Sequence, residues 1–361
     1  MEDSRSLAQF PGVRRREKTA GGGFPERIGL VLLLAVPVFL VWHVVGLWSG
    51  SSSRFSERKP FPGPSLSRIT NANIHQLVTL YAAYDYHWPP RRIVPAIALR
   101  HLPEGLASLP THQKKTTFLR TLLPIVLAAD ERILEQRRFL IRSFAQPEKG
   151  AQGRRQRFLE REIEVSYGVS GSLGNHRVQA RLLRRVDVVP VILALAQAAM
   201  ESGWGTSRFA VQGNDLFGIW TGNPFVGMVP RALGQDPTHF VRAFPSLASS
   251  VRYYLKAINT RPPFRRFRWL RADMRQSKIP LDPARLALGL DLYSQRGMSY
   301  VRNILALLPT LGRSRHLAHL TLVAPDVIAD MVMENEKPGL EPKAPVPLTR
   351  LVMIGSSRPS S

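Results

Sequence analysis

The chain has 361 residues, with 50 Lys and Arg against 26 Asp and Glu and a formal net charge of +24. That length buries one substantial core plus a smaller accessory unit, and the charge favours an anionic partner: nucleic acid, acidic lipid or an anionic wall polymer. Cysteine is absent, which excludes a thiolate nucleophile, a disulfide framework and a Cys-based zinc site.

Residues 1–27 form a polar arm carrying Arg14, Arg15, Arg16, Lys18 and Arg27, and the run Ile28 to Trp48 after it has no formal charge. At 1.5 Å per residue the run would span about 31 Å, matching the roughly 30 Å hydrocarbon layer. The basic flank predicts a transmembrane signal anchor with its N-terminus inside and the remainder across the membrane, a cleaved signal being the alternative. Residues 49–67 are polar and contain Pro, as suits a linker. Thr70 to Tyr84 has helical spacing, Trp88 to Pro90 is a break, and IVPAIALRHLP is a strand or an extended packing arm. Lys114 to Arg142 predicts a helix that Pro124 kinks or divides, with an apolar face that packs on the later domain. Gln146 to Gly153 has the composition of a linker and Arg154 to Val165 that of an amphipathic helix. The arginines 154, 155, 157 and 161 on it either face solvent or touch an acidic polymer. Tyr167 to Asn175 is turn-rich and precedes a helix holding Arg181 to Arg185.

The phrase Val188 to Trp220 organises the chain. Pro190 suits a first helical turn, and Ile192 to Met200 is apolar on every face, which describes a buried helix. Glu201 meets its C-terminal end just before Gly203 and Gly205, residues that favour termination and close backbone approach. Burial and the negative end of the helix dipole both favour a retained proton there, making Glu201 a candidate general acid, with a solvated helix-end glutamate as the alternative. Trp204, Phe209, Phe217 and Trp220 either line a sugar cleft or fill the core. Gly222 to Val241 predicts a small hairpin lobe, with β-compatible phrases at Phe225 to Val229 and Thr238 to Phe244. Val251 to Ile258, Pro283 to Tyr293 and Ser299 to Leu308 are predicted helices. Arg265, Arg266, Arg268 and Arg271 surround Phe267 and Trp269, a mixture that could bind nucleic acid, although no nucleic-acid motif accompanies it. No phosphate loop, dinucleotide loop or HExxH site occurs, so no cofactor or metal is expected. Residues 313–361 form a tail without defined chemistry.

At AQAAMESGWGTSRFAVQGNDLFGI the chain resembles the glucosaminidase domain of glycoside hydrolase family 73, and over its whole length it resembles the Bax-type bacterial proteins. The resemblance implies a mainly α, lysozyme-like domain with a small β-hairpin lobe at 154–312, preceded by the transmembrane helix and by a helical extension at 68–153. It implies cleavage of N-acetylglucosaminyl linkages in peptidoglycan glycan strands. With the anchor, it implies a single-pass inner-membrane protein whose catalytic domain lies in the periplasm, away from nucleic acid. Carried over by position, Glu201 is the catalytic acid and Tyr300, in LYSQRGMSYVRNI, lies near it. Ser202 and Trp204 shape the turn, Asn214, Phe217 and Gly218 belong to the cleft-forming motif, and Trp220 and Tyr253 are further substrate-binding candidates.

One departure stands out. Many relatives supply a second carboxylate from the hairpin, yet no Glu occurs between Ser202 and Met333, and Asp236 alone is acidic between Thr221 and Phe240. Either Asp236 is the second group, or the substrate's own N-acetyl oxygen takes its place. A muramidase or lytic transglycosylase, or a noncatalytic wall-binding protein, could use the same cleft.

Overall fold

Short apolar phrases broken by Pro give the upstream part of the fold strands of only three residues. A computed structural model describes residues 60–230, 240–312, 317 and 319–326. The arm, the expected anchor at 28–48 and Asp236 lie outside the described residues. Strand β1 (Ser67–Ile69) is followed by helix α1 (Ile74–Ala83), which starts on a reciprocal capping box between Asn73 and Gln76. IVPAIALRHLP supplies two strands, β2 (Ile93–Pro95) and β3 (Ile97–Leu99), and β1 pairs with β3 in parallel. The expected tail also contributes: β7 (Thr321–Val323) pairs in parallel with β2, and the Ala96 N–H donates to Val323 O at 2.8 Å. The bare composition of the tail concealed this strand, because its pairing partner is far upstream.

Helix α2 (Thr111–Ala145) runs through Pro124 without dividing. Proline at that position cannot donate to the carbonyl of Arg120, one turn back. The Tyr86 hydroxyl donates to that carbonyl instead, at 3.1 Å, and Arg120 Nη1 returns a hydrogen bond to Tyr86 O at 3.0 Å. Helix α3 (Gly150–Ser166) begins inside the expected linker, and the arginines 154, 155, 157 and 161 are exposed on it. Helix α4 (His176–Arg185) comes next, capped by the Asn175 side chain.

Helix α5 (Val191–Ser202) is the core of the molecule: every residue from Ile192 to Ala199 is buried. Side chains such as Leu193 and Leu195 each contribute about 1.5–3 kcal/mol of burial. Its neighbours are α2, α9 (Pro283–Ala287) and α10 (Met298–Leu307). Helix α9 is shorter than its apolar pattern predicts, because a Cβ on Gly289 would lie 2.4 Å from Phe267 Cα. Close packing at that point requires glycine, and glycine there weakens the helix.

Helices α7 (Leu247–Thr260) and α8 (Arg265–Gln276) complete the body. Of the arginines that surround Phe267 and Trp269, Arg265 and Arg266 are exposed on α8, whereas Arg268 and Arg271 are turned into the fold. Arg271 is buried and donates to the carbonyls of Arg184, Asp187 and Val188 and to Asn259 Oδ1, while Arg268 donates to the carbonyls of Ile258 and Arg261. Arg275 makes a bidentate contact to buried Asp187 at 2.9 and 3.0 Å, with Arg137 and Arg271 beside it at 3.6 and 3.8 Å. These arginines fasten α8 to the segment that leads into α5. The expected lobe is a three-stranded antiparallel sheet in the order β4 (Trp220–Thr221), β6 (Phe240–Arg242), β5 (Gly227–Met228). Among the described residues no helix is long and apolar enough to cross a membrane.

Candidate active site

Glu201 lies in the last turn of α5, and the backbone there explains its orientation. Gly203 ends the helix at φ 58°, Trp204 continues at φ 59° and Gly205 at φ 80°, a left-handed run that turns the chain sharply. Trp204 bears a steric cost there that the glycines do not. The turn is held by the Ser202 hydroxyl, which donates to Ala198 O at 2.6 Å and accepts from the Gly205 N–H at 2.8 Å. At Gly205 any side chain would strike Phe118 of α2.

Facing the acid is the loop of GNDLFGI, directly after the short helix α6 (Arg208–Gly213). Asn214 caps α6 at φ 52° and its amide donates to Phe244 O at 2.9 Å. Asp215 points into its own loop and accepts from the N–H groups of Phe217 at 3.1 Å and Ile219 at 2.8 Å. The Tyr293 hydroxyl donates to Phe217 O at 2.7 Å. These bonds press the backbone of Gly218, at φ +62°, against the acid: a Cβ there would sit 3.3 Å from Glu201 Oε2.

Behind Glu201 runs a polar chain through otherwise apolar packing. The Tyr254 hydroxyl donates to Gln197 Oε1 at 2.5 Å, and Gln197 Nε2 donates to the Tyr300 hydroxyl oxygen at 2.9 Å. Because Tyr300 accepts there, its own proton is free to turn toward Glu201. Gln197 and Glu201 are four residues apart on α5 and share a face. Tyr300 stacks on Tyr293 at 5.2 Å, and Phe217 stacks on Tyr254 at 4.0 Å, which fixes the rings at both ends of the chain.

Burial raises the Glu201 pKa above the usual carboxylate range, while Tyr300 and the Arg296 charge temper the rise. Glu201 Oε1 is buried and has no hydrogen-bond partner. Burial also pushes Asp215 up to about 7, against the backbone N–H groups of Phe217, Ile219 and Gly218, with the Glu201 charge adding to the rise. A carboxyl whose protonated form burial favours, with one oxygen unengaged, is equipped to give a proton to a substrate.

Of the residues named from the sequence, Glu201, Tyr300, Phe217 and Gly218 are gathered into this network, whereas Ser202 and Asn214 are buried supports for its two backbone turns. Trp204 leaves the group: its ring packs on Phe118 at 6.0 Å and beneath Lys115 of α2. Tyr253 also points elsewhere, accepting from Arg261 at 2.5 Å and packing on Phe244, while its neighbour Tyr254 joins the network. Trp220 is 52% exposed on β4. Tyr300 is 0% exposed and sits beside the acid at the end of this polar chain. Sequence reasoning passed over Gln197, Tyr254, Tyr293 and Asp215, though the spacing of Gln197 to Glu201 was a visible signal for one of them.

A half-buried acid at the end of an apolar helix, beside a tyrosine, is the equipment of a glycosidase, and residues 177–308 match the glucosaminidase family described as mannosyl-glycoprotein endo-beta-N-acetylglucosaminidase. That match supports a glycoside hydrolase acting on a glycan. The chain is also 30% identical over 210 residues to Protein bax of Escherichia coli (strain K12), covering 58% of this chain and 72% of that one. The chain belongs to the Bax-type family, with a glucosaminidase domain. No solved structure matches it.

Proposed function

We propose that the chain is a peptidoglycan hydrolase, an endo-β-N-acetylglucosaminidase that uses Glu201 as general acid. The observation that carries this reading is the Glu201 carboxyl itself, raised in pKa by burial and with Oε1 unpartnered. Glu201 gives its proton to the glycosidic oxygen as the bond from C1 to that oxygen breaks. The acetamido oxygen of the same sugar attacks C1 and closes an oxazolinium ring. Water then opens the ring at C1 and returns a proton to the Glu201 carboxylate. This route needs one protein carboxylate, in keeping with Asp215 being committed to backbone N–H groups. Asp236 is the alternative second carboxylate. The helical body and the antiparallel lobe form, in this reading, the walls of a lysozyme-like cleft, with exposed Trp220 as a platform for a sugar ring. The uncharged run Ile28 to Trp48 supports an inner-membrane anchor that holds the domain in the periplasm. There the excess of basic over acidic residues, most of which lies beyond the arm, would draw it to carboxylate- and phosphate-bearing wall polymers.

Digestion of intact sacculi with the wild type, E201Q and D236N, followed by mass analysis of the products, tests the proposal. New N-acetylglucosamine reducing ends are expected, with a loss of about 10²–10⁴-fold in E201Q. Muramic or anhydromuramic ends would make the protein a muramidase or lytic transglycosylase. Binding without new ends, equal in wild type and E201Q, would make it a wall-binding protein. Comparable loss in D236N would replace substrate assistance by a two-carboxylate mechanism.

A further inference from the structure

The loop at 291–297 lies beside the acid, and the proposed hydrolysis makes no use of its cation, Arg296. The loop is fixed at several points. The Tyr293 hydroxyl donates to Phe217 O at 2.7 Å, the Arg296 N–H to Ser294 Oγ at 3.3 Å and the Gly297 N–H to Ser294 O at 3.0 Å. Gly297 permits this turn by standing at φ 53°. The turn leaves the Arg296 side chain exposed, with its guanidinium carbon 5.7 Å from the centre of the Tyr300 ring. Tyr300 is the tyrosine that hydrogen-bonds to Glu201, and the Arg296 charge acts on the same carboxyl, favouring its ionised form.

Nothing in the site neutralises that charge. Among the described residues Arg296 is in no ion pair. Asp291, at the start of the same loop, pairs with Arg266 at 3.5 Å. Asp215 is committed to the N–H groups of its own loop, and burial favours the protonated form of Glu201. A fixed cation beside a general acid opposes its task, because it favours loss of the proton that the acid must keep. A substrate anion bound to Arg296 would cancel that opposition. Under the reading of the protein as an N-acetylglucosaminidase of peptidoglycan, on which this inference rests, the oxygen that Glu201 protonates is O4 of a muramic acid residue. The adjacent oxygen of that sugar, O3, carries a lactyl ether. Its carboxyl is a free carboxylate once the peptide stem has been removed and a neutral amide while the stem is attached, whereas in chitin O3 is a plain hydroxyl. The lactyl carboxylate is thus the charged group of a stem-free strand that adjoins the scissile oxygen. A guanidinium pairs with a carboxylate through two parallel hydrogen bonds, and an amide offers it only one neutral acceptor.

We propose that Arg296 binds the lactyl carboxylate of the leaving sugar, so that the site selects glycan strands already stripped of their peptide stems. The class of reaction that supplies this substrate is hydrolysis of the amide between the lactyl group and the stem. The full chain carrying E201Q, in which turnover is suppressed, is titrated calorimetrically with a stem-free peptidoglycan tetrasaccharide, the same sugar with its stems attached, and chitotetraose. The stem-free sugar is expected to bind about tenfold more tightly than either of the others. Adding R296Q should erase that preference and leave the affinity for chitotetraose as it was. Arg296→Lys, which keeps the charge without the fork, should restore part of the preference. Arg296 is exposed, so both variants are expected to fold, and thermal melts verify this. Equal binding of the three sugars, no binding of the stem-free one, a preference that survives R296Q, or equal weakening of all three by R296Q would overturn the proposal. The comparison reads affinity and not bond breakage, so its failure is distinguishable from a failure of Glu201 to cleave.

Discussion

Glu201 and Asp215 are both carboxyls whose pKa burial raises, yet they have opposite prospects. Asp215 commits its oxygens to the backbone of its own loop, whereas Glu201 keeps Oε1 unengaged. The Tyr300 proton favours the charged form of Glu201 and so lowers its pKa; removing that hydroxyl raises it further. A general acid must hold its proton, so Tyr300→Phe should move the alkaline limb of the pH dependence of kcat to higher pH. Activity at the optimum should fall roughly tenfold, because Gln197 Nε2 loses its acceptor and the acid is less well oriented. A limb that stays in place, or moves to lower pH, would mean that Tyr300 only packs. Glu201 was visible in the sequence as a candidate because it is a single charge closing a run that is apolar except for Gln197. Gln197 and Tyr254 were not, since an amide and a phenol in helices look ordinary until a third helix brings Tyr300 between them.

At the scale of elements, the passage of α2 through Pro124 depends on a group from outside the helix. Tyr86→Phe leaves the Arg120 carbonyl buried without its donor and should destabilise the protein by about 1–3 kcal/mol, read as a fall in the denaturation midpoint. Restoring an N–H with Pro124→Ala should recover part of that loss in the double mutant, and a double-mutant cycle measures the coupling. Full additivity would show that the tyrosine serves only as packing. The helical spacing around Pro124 was plain in the sequence, but kink and division stayed open because the donor lies 34 positions upstream in the chain. The short strands show the same limit. IVPAIALRHLP has strand composition, but only its partners, β1 and β7, make it two parallel strands.

For the whole molecule, Asp187 ties α8 and α2 to the start of α5. Burial alone would raise its pKa, but Arg271, Arg275 and Arg137 outweigh that and hold it below the usual range. A depressed carboxyl contributes stability above its unfolded-state pKa and loses it as pH falls through the folded value. Asp215, raised to about 7, has the opposite sign: the folded chain takes its proton first, so stability grows as pH falls from about 7. The melting temperature should therefore rise on mild acidification and drop once pH passes below about 4, the ordinary Asp range. Asp187→Asn should cost roughly 3 kcal/mol near neutrality and flatten the acid limb, because it leaves buried arginines uncompensated. An unchanged acid limb in that variant would place the acid sensitivity elsewhere. The charge excess was legible from composition, but its use was not: spacing alone does not distinguish a solvated arginine from Arg271, which is buried among carbonyls. The packing of α5 on α2 has a practical consequence for handling the protein. The segment that matches the glucosaminidase family begins at residue 177, well after α2 ends. A recombinant fragment cut to that segment would leave one side of its central helix bare and Gly205 without the Phe118 ring it packs against. The recognisable stretch and the smallest expressible piece are therefore different lengths of chain, and screening of soluble fragments should start upstream of Thr111.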